Sequence, residues 1–86
     1  MRNPMAIAPI YQVDARWDSE ASVWVATSDD VPGLVTEAAD LDLLRQTLHH
    51  LLPELLRRNH ILAEDFAGTI SVNLITQQQD LIQVAA

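Results

Sequence analysis

The stretch DDVPGLVTEAADLDLL, residues Asp29 to Leu44, contains a turn, a short strand and the start of a helix with no spacer between them. Pro32 holds its φ at the value that the first corner of a β-turn needs, and Gly33 can adopt the positive φ that a type II turn needs next. Residues 34–38 show partial alternation of apolar and polar side chains, which predicts a strand. Asp40 is a good N-cap, so the helix is predicted to begin beside it.

The predicted helix carries a stripe of five leucines at spacings of 3, 4, 3 and 4, which should face a sheet. These leucines are Leu41, Leu44, Leu48, Leu51 and Leu55. A second set, Leu43, Leu52 and Leu56, lies beside the stripe and adds more apolar surface than one sheet face needs, which indicates an interface. Pro53 has no amide hydrogen and its ring clashes with the carbonyl four residues earlier, so a kink or break is predicted there.

The segment before the turn predicts two strands joined by a hairpin. Apolar and polar side chains alternate from Tyr11 to Asp18, which places the odd-numbered residues on a buried face and the even-numbered ones on an exposed face. The polar residues 18–22 are typical of a hairpin loop, and residues 22–28 form the second strand. Trp24 on that strand either packs under the helix or marks a contact surface, and packing is the favoured interpretation.

Residues 69–76 alternate in the same way and predict a last strand, which the helix allows to join the sheet beside the first strand. The predicted fold class is therefore α+β in the order β-β-β-α-β, with an antiparallel sheet covered on one face by the Leu-rich helix. One domain over residues 1–86 is expected, with an N-terminal tail over residues 1–9. Residues 77–86 are expected to be a tail, a further strand, a short helix or an arm that reaches a neighbouring chain.

Composition narrows the functional classes. Twelve Asp and Glu against five Arg give a net charge of −7, opposite to the basic surface of an autonomous nucleic-acid binder, so a basic partner is favoured over direct nucleic-acid binding. The absence of cysteine excludes disulfides and thiol chemistry. No apolar run approaches the roughly 20 residues of a membrane span, so a cytoplasmic protein is expected. A domain this small buries only about 60% of its unfolded surface, which favours a homo-oligomer.

Candidate catalytic and metal-binding residues do not combine into a site. Asp29 and Asp30 are neighbouring carboxylates, but adjacent strand residues point to opposite faces and an Asp before a Pro-Gly turn commonly bonds its own backbone. His49 and His50 diverge by about 100° around a helix, so they cannot share a metal ion. Because HEXXH, P-loop and Rossmann patterns are absent as well, no metal, no cofactor and no enzymatic activity are expected.

The sequence from Val13 to Asn59 resembles the HicB-like antitoxin superfamily, and specifically its compact branch of unknown function. Two features carry the resemblance: the motif D-x-E-x-x-x-W-x-A from Asp18 to Ala26, and the Pro-Gly-Leu turn that leads through Glu37 into a Leu-rich helix. The resemblance implies a partial RNase H-like fold and a small basic RNase of HicA type as the partner. Full-length HicB proteins usually carry a DNA-binding segment, and only ten residues follow Thr76, so an antitoxin without that segment is expected.

Two functions remain open. The first is an antitoxin that binds and neutralises a basic RNase, because opposite charge speeds the encounter of two proteins. The second is a stand-alone oligomeric binding domain for a peptide or small ligand, and a degenerate nuclease ranks last. The candidate partner-binding residues are Asp14, Asp18 and Glu20, from the uncovered sheet face and its hairpin, and the large aromatic Trp24. Pro32 and Gly33 are expected to be structural residues of the turn.

Overall fold

The computed structural model describes residues 9–86 and contains four strands and one helix. The elements are β1 Ile10–Asp18, β2 Val23–Thr27, β3 Val35–Ala38, α1 Leu41–Arg58 and β4 Ser71–Gln77. The strands lie side by side in the order β3-β2-β1-β4. The predicted α+β class and the β-β-β-α-β order are confirmed. The predicted N-terminal tail lies outside the described residues, apart from Pro9.

The last strand joins the sheet beside the first, as predicted, but it runs parallel to it, so the sheet is mixed where an antiparallel sheet was predicted. β1 pairs with β2 and β2 with β3 in antiparallel fashion, whereas β4 runs parallel to β1. The reason lies in the chain path. Two hairpin steps return β3 to the direction of β1, and α1 then carries the chain back along the sheet, so β4 starts at the same end as β1.

The alternation along β1 is confirmed by the burial of its odd-numbered residues. Tyr11, Val13 and Ala15 are buried beneath α1, while the even-numbered side chains lie on the other face. Their partners in the register extend the core across the sheet, because residues that pair directly share a face. Ala26 of β2 lies opposite Ala15, and Leu74 of β4 lies beside Val13.

The apolar surface of α1 is broader than the predicted stripe. Leu52 and Leu56 are 1% and 0% exposed, as deeply buried as Leu44. Both follow Leu44 at steps of four residues, and such a row adjoins the predicted stripe on one side of a helix. Of the second set only Leu43 is exposed, at 47%. The interface predicted from Leu43, Leu52 and Leu56 is therefore wrong, because two of these three side chains fill the core.

The helix has the predicted start and no break. Asp40 is the N-cap, and its side chain accepts a hydrogen bond from the amide of Leu43 at 2.8 Å. α1 then continues through Pro53 as one helix of 18 residues, so the predicted break there is wrong. Leu52 before Pro53 and Leu56 after it are anchored in the same core, and this packing offsets the hydrogen bond that proline cannot make.

The Pro-Gly turn is tied to the far end of α1. Gly33 has a φ of 83° and the amide of Leu34 donates to the carbonyl of Val31 at 3.2 Å, so the predicted turn is confirmed. The Nδ2 of Asn59, which caps the helix C-terminus, donates to the carbonyl of Pro32 at 3.2 Å. A side-chain hydrogen bond therefore joins the stretch that begins the third strand to the end of the helix that follows it.

The helix lies closer to one side of the sheet than to the other. Cα atoms of α1 come within 8 Å of Cα atoms in β2 and β3, but not of those in β1 or β4. The space between helix and sheet therefore widens toward β4. Beyond β4, residues 78–86 form neither a helix nor a strand, and all of them are exposed. The radius of gyration of 16.5 Å is larger than the value of about 12 Å that is expected for a compact domain of this length.

Candidate functional site

The face of the sheet that α1 does not cover is the larger of two candidate binding surfaces, and we call it the outer face. It is formed by the even-numbered side chains of β1 and their partners on the neighbouring strands. Acidic and apolar side chains share it. The acidic ones are Asp14, Asp18 and Glu37, and the most exposed apolar ones are Ile10, Val35 and Ile75, at 62%, 73% and 41%.

Three carboxylates gather at one end of the outer face. Asp14 of β1, with Asp29 and Asp30 from the loop after β2, lines a shallow recess of about 130 Å³ that also includes Gln12. We call these three residues the acidic cluster. The hairpin register brings them together, because Thr27 pairs with Asp14 and the residues after Thr27 then run alongside Gln12. The cluster was not predicted from the sequence. The register of the hairpin formed by β1 and β2 is the signal that would have revealed it, because it places Asp29 and Asp30 near Asp14.

Side chains hold the loop of the acidic cluster against β1. The amide of Gln12 donates to Oδ2 of Asp30 at 2.7 Å, and the hydroxyl of Ser28 donates to the carbonyl of Gln12. These two bonds replace the ladder bonds that a longer β2 would make. The same hydroxyl accepts from the amides of Asp30 and Val31 at 3.0 and 3.2 Å. Ser28, and not an aspartate, therefore forms the local turn, while Asp30 reaches across to the neighbouring strand.

The predicted acidic residues Asp18 and Glu20 lie at the opposite end of β1 from this cluster. Oδ1 of Asp18 accepts from the amides of Glu20 and Ala21 at 3.0 and 3.2 Å, which stabilises the hairpin loop. Asp14 and Asp18 are four residues apart, about 13 Å along a strand, and Arg16 lies between them on the same face. The outer face is therefore acidic at both ends and is not one continuous acidic surface.

Trp24 lies on the helix-covered face, away from the predicted acidic residues. It pairs directly with Trp17, and the two ring centroids are 5.4 Å apart with the planes tilted by 60°. Trp24 is partly buried and packs against the core, in agreement with the packing interpretation. An aromatic pair of this geometry stabilises the hairpin. The structure therefore separates Trp24 from Asp14 instead of combining them in one site.

The metal-binding hypotheses find no geometry to support them in the described part of the chain. Across residues 9–86, no three His, Asp or Glu side chains are grouped so that they could hold an ion. His49 and His50 are both exposed, and only His49 borders the space between α1 and β4. Within the same residues, no helix has the length and apolar character needed to span a membrane.

The second candidate surface is a groove of about 420 Å³ between α1 and β4. It follows from the wider spacing of helix and sheet on this side. Most of its lining is apolar: Leu48, Leu52, Pro53, Ile70, Val72 and Leu74. Arg45 and His49 add polar groups, and Val72 is 41% exposed. The leucine pattern of α1 predicts a helix that covers the whole sheet, so this groove was not expected from the sequence.

Comparisons with known proteins identify relatives of similar fold. A family model described as a domain of unknown function, DUF1902, matches residues 10–84. The chain is also similar to a solved structure, a hypothetical protein from the extremely thermophilic bacterium Thermus thermophilus. The two chains are 42% identical with a TM-score of 0.64, over 88% of this chain and 100% of the other. No curated protein is similar enough to count as a relative.

Proposed function

The chain belongs to the DUF1902 family, and on that premise we propose that it is a HicB-like antitoxin that binds and neutralises a small basic RNase of HicA type. In this proposal the chain is a binding protein and not an enzyme. The outer face of the sheet is the surface that contacts the RNase, and the acidic cluster of Asp14, Asp29 and Asp30 is the part of it that attracts the basic partner.

The observation that carries the proposal is the mixture of carboxylates and exposed apolar side chains on the outer face. Ile75 of β4 pairs with Asp14 and is 41% exposed, and Ile10 at the start of β1 is 62% exposed. Apolar side chains clustered on one surface mark a contact site, and charged residues around them select the partner. The outer face therefore has the chemistry of a surface that another protein covers.

The charge of the chain favours an RNA-binding protein as that partner. An RNase holds the phosphates of its substrate with Lys and Arg. The carboxylates of the acidic cluster present a similar negative charge to such side chains. The net charge of −7 would speed the encounter with such a surface. The resemblance of Val13–Asn59 to HicB-like antitoxins supplies the type of RNase.

A binding experiment with matched charge reversals tests the proposal. The partner to be tested is the product of a short basic reading frame beside this gene that encodes a catalytic His. Association rates are measured at about 0.1 M and 1 M salt, between which the screening length falls from about 10 Å to about 3 Å. Asp14→Lys/Asp29→Lys is expected to slow association about tenfold or more at low salt. The control Glu64→Lys/Asp65→Lys changes the net charge equally in the exposed connector after α1, and its rate should stay within about threefold.

Inhibition of RNA cleavage provides the second measurement. The unaltered chain should inhibit the RNase at a stoichiometric ratio, and the Asp14→Lys/Asp29→Lys variant should need a higher concentration. Equal rates for the two double variants, or rates that do not change with salt, would contradict a role of the acidic cluster. A chain that neither binds nor inhibits the RNase at micromolar concentration would favour the other function, a stand-alone oligomeric binding domain.

A further inference from the structure

The residues after β4 expose three large apolar side chains. We call residues 78–86 the arm. Leu81, Ile82 and Val84 are 91%, 81% and 90% exposed, and no residue of the arm is even partly buried. Single apolar residues on a surface are common, but three large ones that are almost fully exposed within four positions are side chains that another surface normally covers.

The sheet edge next to the arm is open as well. β4 is the last strand in the order β3-β2-β1-β4, so one side of it carries backbone amide and carbonyl groups that no strand among the described residues pairs. Such an edge is a template for a strand from another chain. The groove between α1 and β4 lies along the same edge. Unpaired backbone groups and an uncovered apolar recess therefore occur side by side.

The sequence of β4 and the arm is nearly symmetric about Gln78. Residues 72–84 read VNLITQQQDLIQV. Five of the six pairs of positions at equal distances from Gln78 carry side chains of similar chemistry, and Thr76 with Asp80 is the exception. The matching pairs are Val72 with Val84, Asn73 with Gln83, Leu74 with Ile82, Ile75 with Leu81, and Gln77 with Gln79. When two copies of one strand pair in antiparallel fashion, residues at equal distances from the centre lie opposite each other, and similar apolar pairs stabilise the sheet.

We propose that two copies of this chain pair in antiparallel fashion through residues 72–84, with the two-fold axis at Gln78. The arm of each copy then forms a fifth strand beside β4 of the other copy. This arrangement is isologous, so each contact occurs twice. It pairs the open edges of both sheets and joins them into one continuous sheet. The outer face stays uncovered, and the proposal is therefore independent of RNase binding.

In the proposed pairing, apolar side chains of the second copy lie on the face of the sheet where the groove is. Val72 and Leu74 pair with Tyr11 and Val13, so they lie on the helix-covered face. Directly opposite residues share a face, and Ile82 and Val84 of the second copy would therefore enter the groove. The groove is incomplete without them.

Charge is complementary along the same edge. Asp80 is the one charged residue of the arm, and it alternates onto the same side as Ile82 and Val84. Arg45 lines the groove that this side would enter. Its ion pair with Asp42 is 3.9 Å long and largely exposed, so the guanidinium group remains available to a second carboxylate. A second copy of the chain is therefore the occupant that fits the groove by both shape and charge.

Single cysteines test the register, because the natural chain contains none. Gln78→Cys would place two thiols opposite each other on the two-fold axis, with Cα atoms about 5 Å apart, within the range of a disulfide. Mild oxidation should therefore convert most of this variant into a covalent dimer. The control Asn73→Cys would place the two thiols about 30 Å apart along the paired strands and should remain uncrosslinked. Equal crosslinking of the two variants would overturn the register.

Sedimentation equilibrium tests the contacts in the groove. The unaltered chain should be a dimer at micromolar concentration. Ile82→Asn/Val84→Asn should raise the dissociation constant at least about 100-fold, because apolar side chains leave the groove. The control Gln79→Asn/Gln83→Asn introduces the same residues on the other side of the arm and should stay within about threefold. An unaltered chain that is monomeric, or equal weakening by both double variants, would overturn the proposal.

Discussion

The two long sides of α1 differ in how they are closed. Toward β3 the chain covers the helix itself: the Pro-Gly turn lies against Leu55, and Asn59 donates a hydrogen bond to the carbonyl of Pro32. Toward β4 the helix stands away from the sheet and leaves the apolar groove. On the side toward β3 the chain itself therefore buries the helix. On the side toward β4 the apolar groove is open, and a second molecule can fill it.

The connections explain this difference. Only two residues separate β3 from α1, whereas residues 59–70 separate α1 from β4. A short connection forces the two elements into close contact, while a long one lets the last strand take its place by pairing with β1. The connector is tied to α1 by hydrogen bonds. Nη2 of Arg57 donates to the carbonyl of Phe66 at 3.0 Å. The amides of Ile61 and Leu62 donate to the carbonyl of Leu56 at 2.8 and 3.1 Å. The helix is therefore close to the sheet near the short connection to β3 and farther from it near β4, which the long connection joins to the helix.

The largest expected effect concerns the closed core beneath α1. Leu56→Ala should lower the free energy of unfolding by about 2–5 kcal/mol, because Leu56 is fully buried and its truncation leaves a cavity. Leu43→Ala is the matched control on the same helix, where the side chain is 47% exposed, and it should cost less than about 1 kcal/mol. Urea unfolding measures both. Similar costs at the two positions would contradict the assignment of Leu56 to the core.

A smaller effect is expected at the turn that closes this side. Gly33→Val should lower the free energy of unfolding by more than about 1 kcal/mol, because a β-branched residue resists the φ of 83°. The loss comes from the backbone and not from crowding, since a Cβ at this position would lie 3.8 Å from Leu55 Cδ2. Gly33→Asn is the control, because Asn tolerates positive φ better. If both variants unfold at the same urea concentration as the unaltered chain, the turn does not contribute as described.

The features that were predictable from the sequence are those that depend on neighbours along the chain. Alternation from Tyr11 to Asp18 identifies the buried face of β1 because side-chain direction repeats every two residues. The Pro-Gly pair and the cap at Asp40 identify a turn and a helix start for equally local reasons. Leu52 and Leu56 were misassigned because the width of a buried helix surface depends on how closely the sheet approaches it. The break predicted as one alternative at Pro53 does not occur, because tertiary packing outweighs the local penalty of proline.

The candidate surfaces depend on pairing between distant residues, so they were harder to predict. Asp14 was identified from its place on the outer face, but Asp29 and Asp30 join it only through the register of β1 and β2. The groove required knowledge of where α1 crosses the sheet. The near symmetry of residues 72–84 is visible in the sequence, yet it gains meaning only once β4 is known to be an edge strand with an exposed continuation.

Amide hydrogen exchange at two protein concentrations tests most directly whether the chain closes one side of α1 and a second copy closes the other. Amides in α1 should exchange slowly at both concentrations, because the core beside β3 is complete within one chain. Alternate amides of the arm, residues 78–86, should exchange fast in dilute protein, and those that pair with β4 of the second copy should become protected as the concentration rises into the micromolar range. Protection of these amides that does not change with concentration would show that the arm folds back onto its own chain, and would contradict the account.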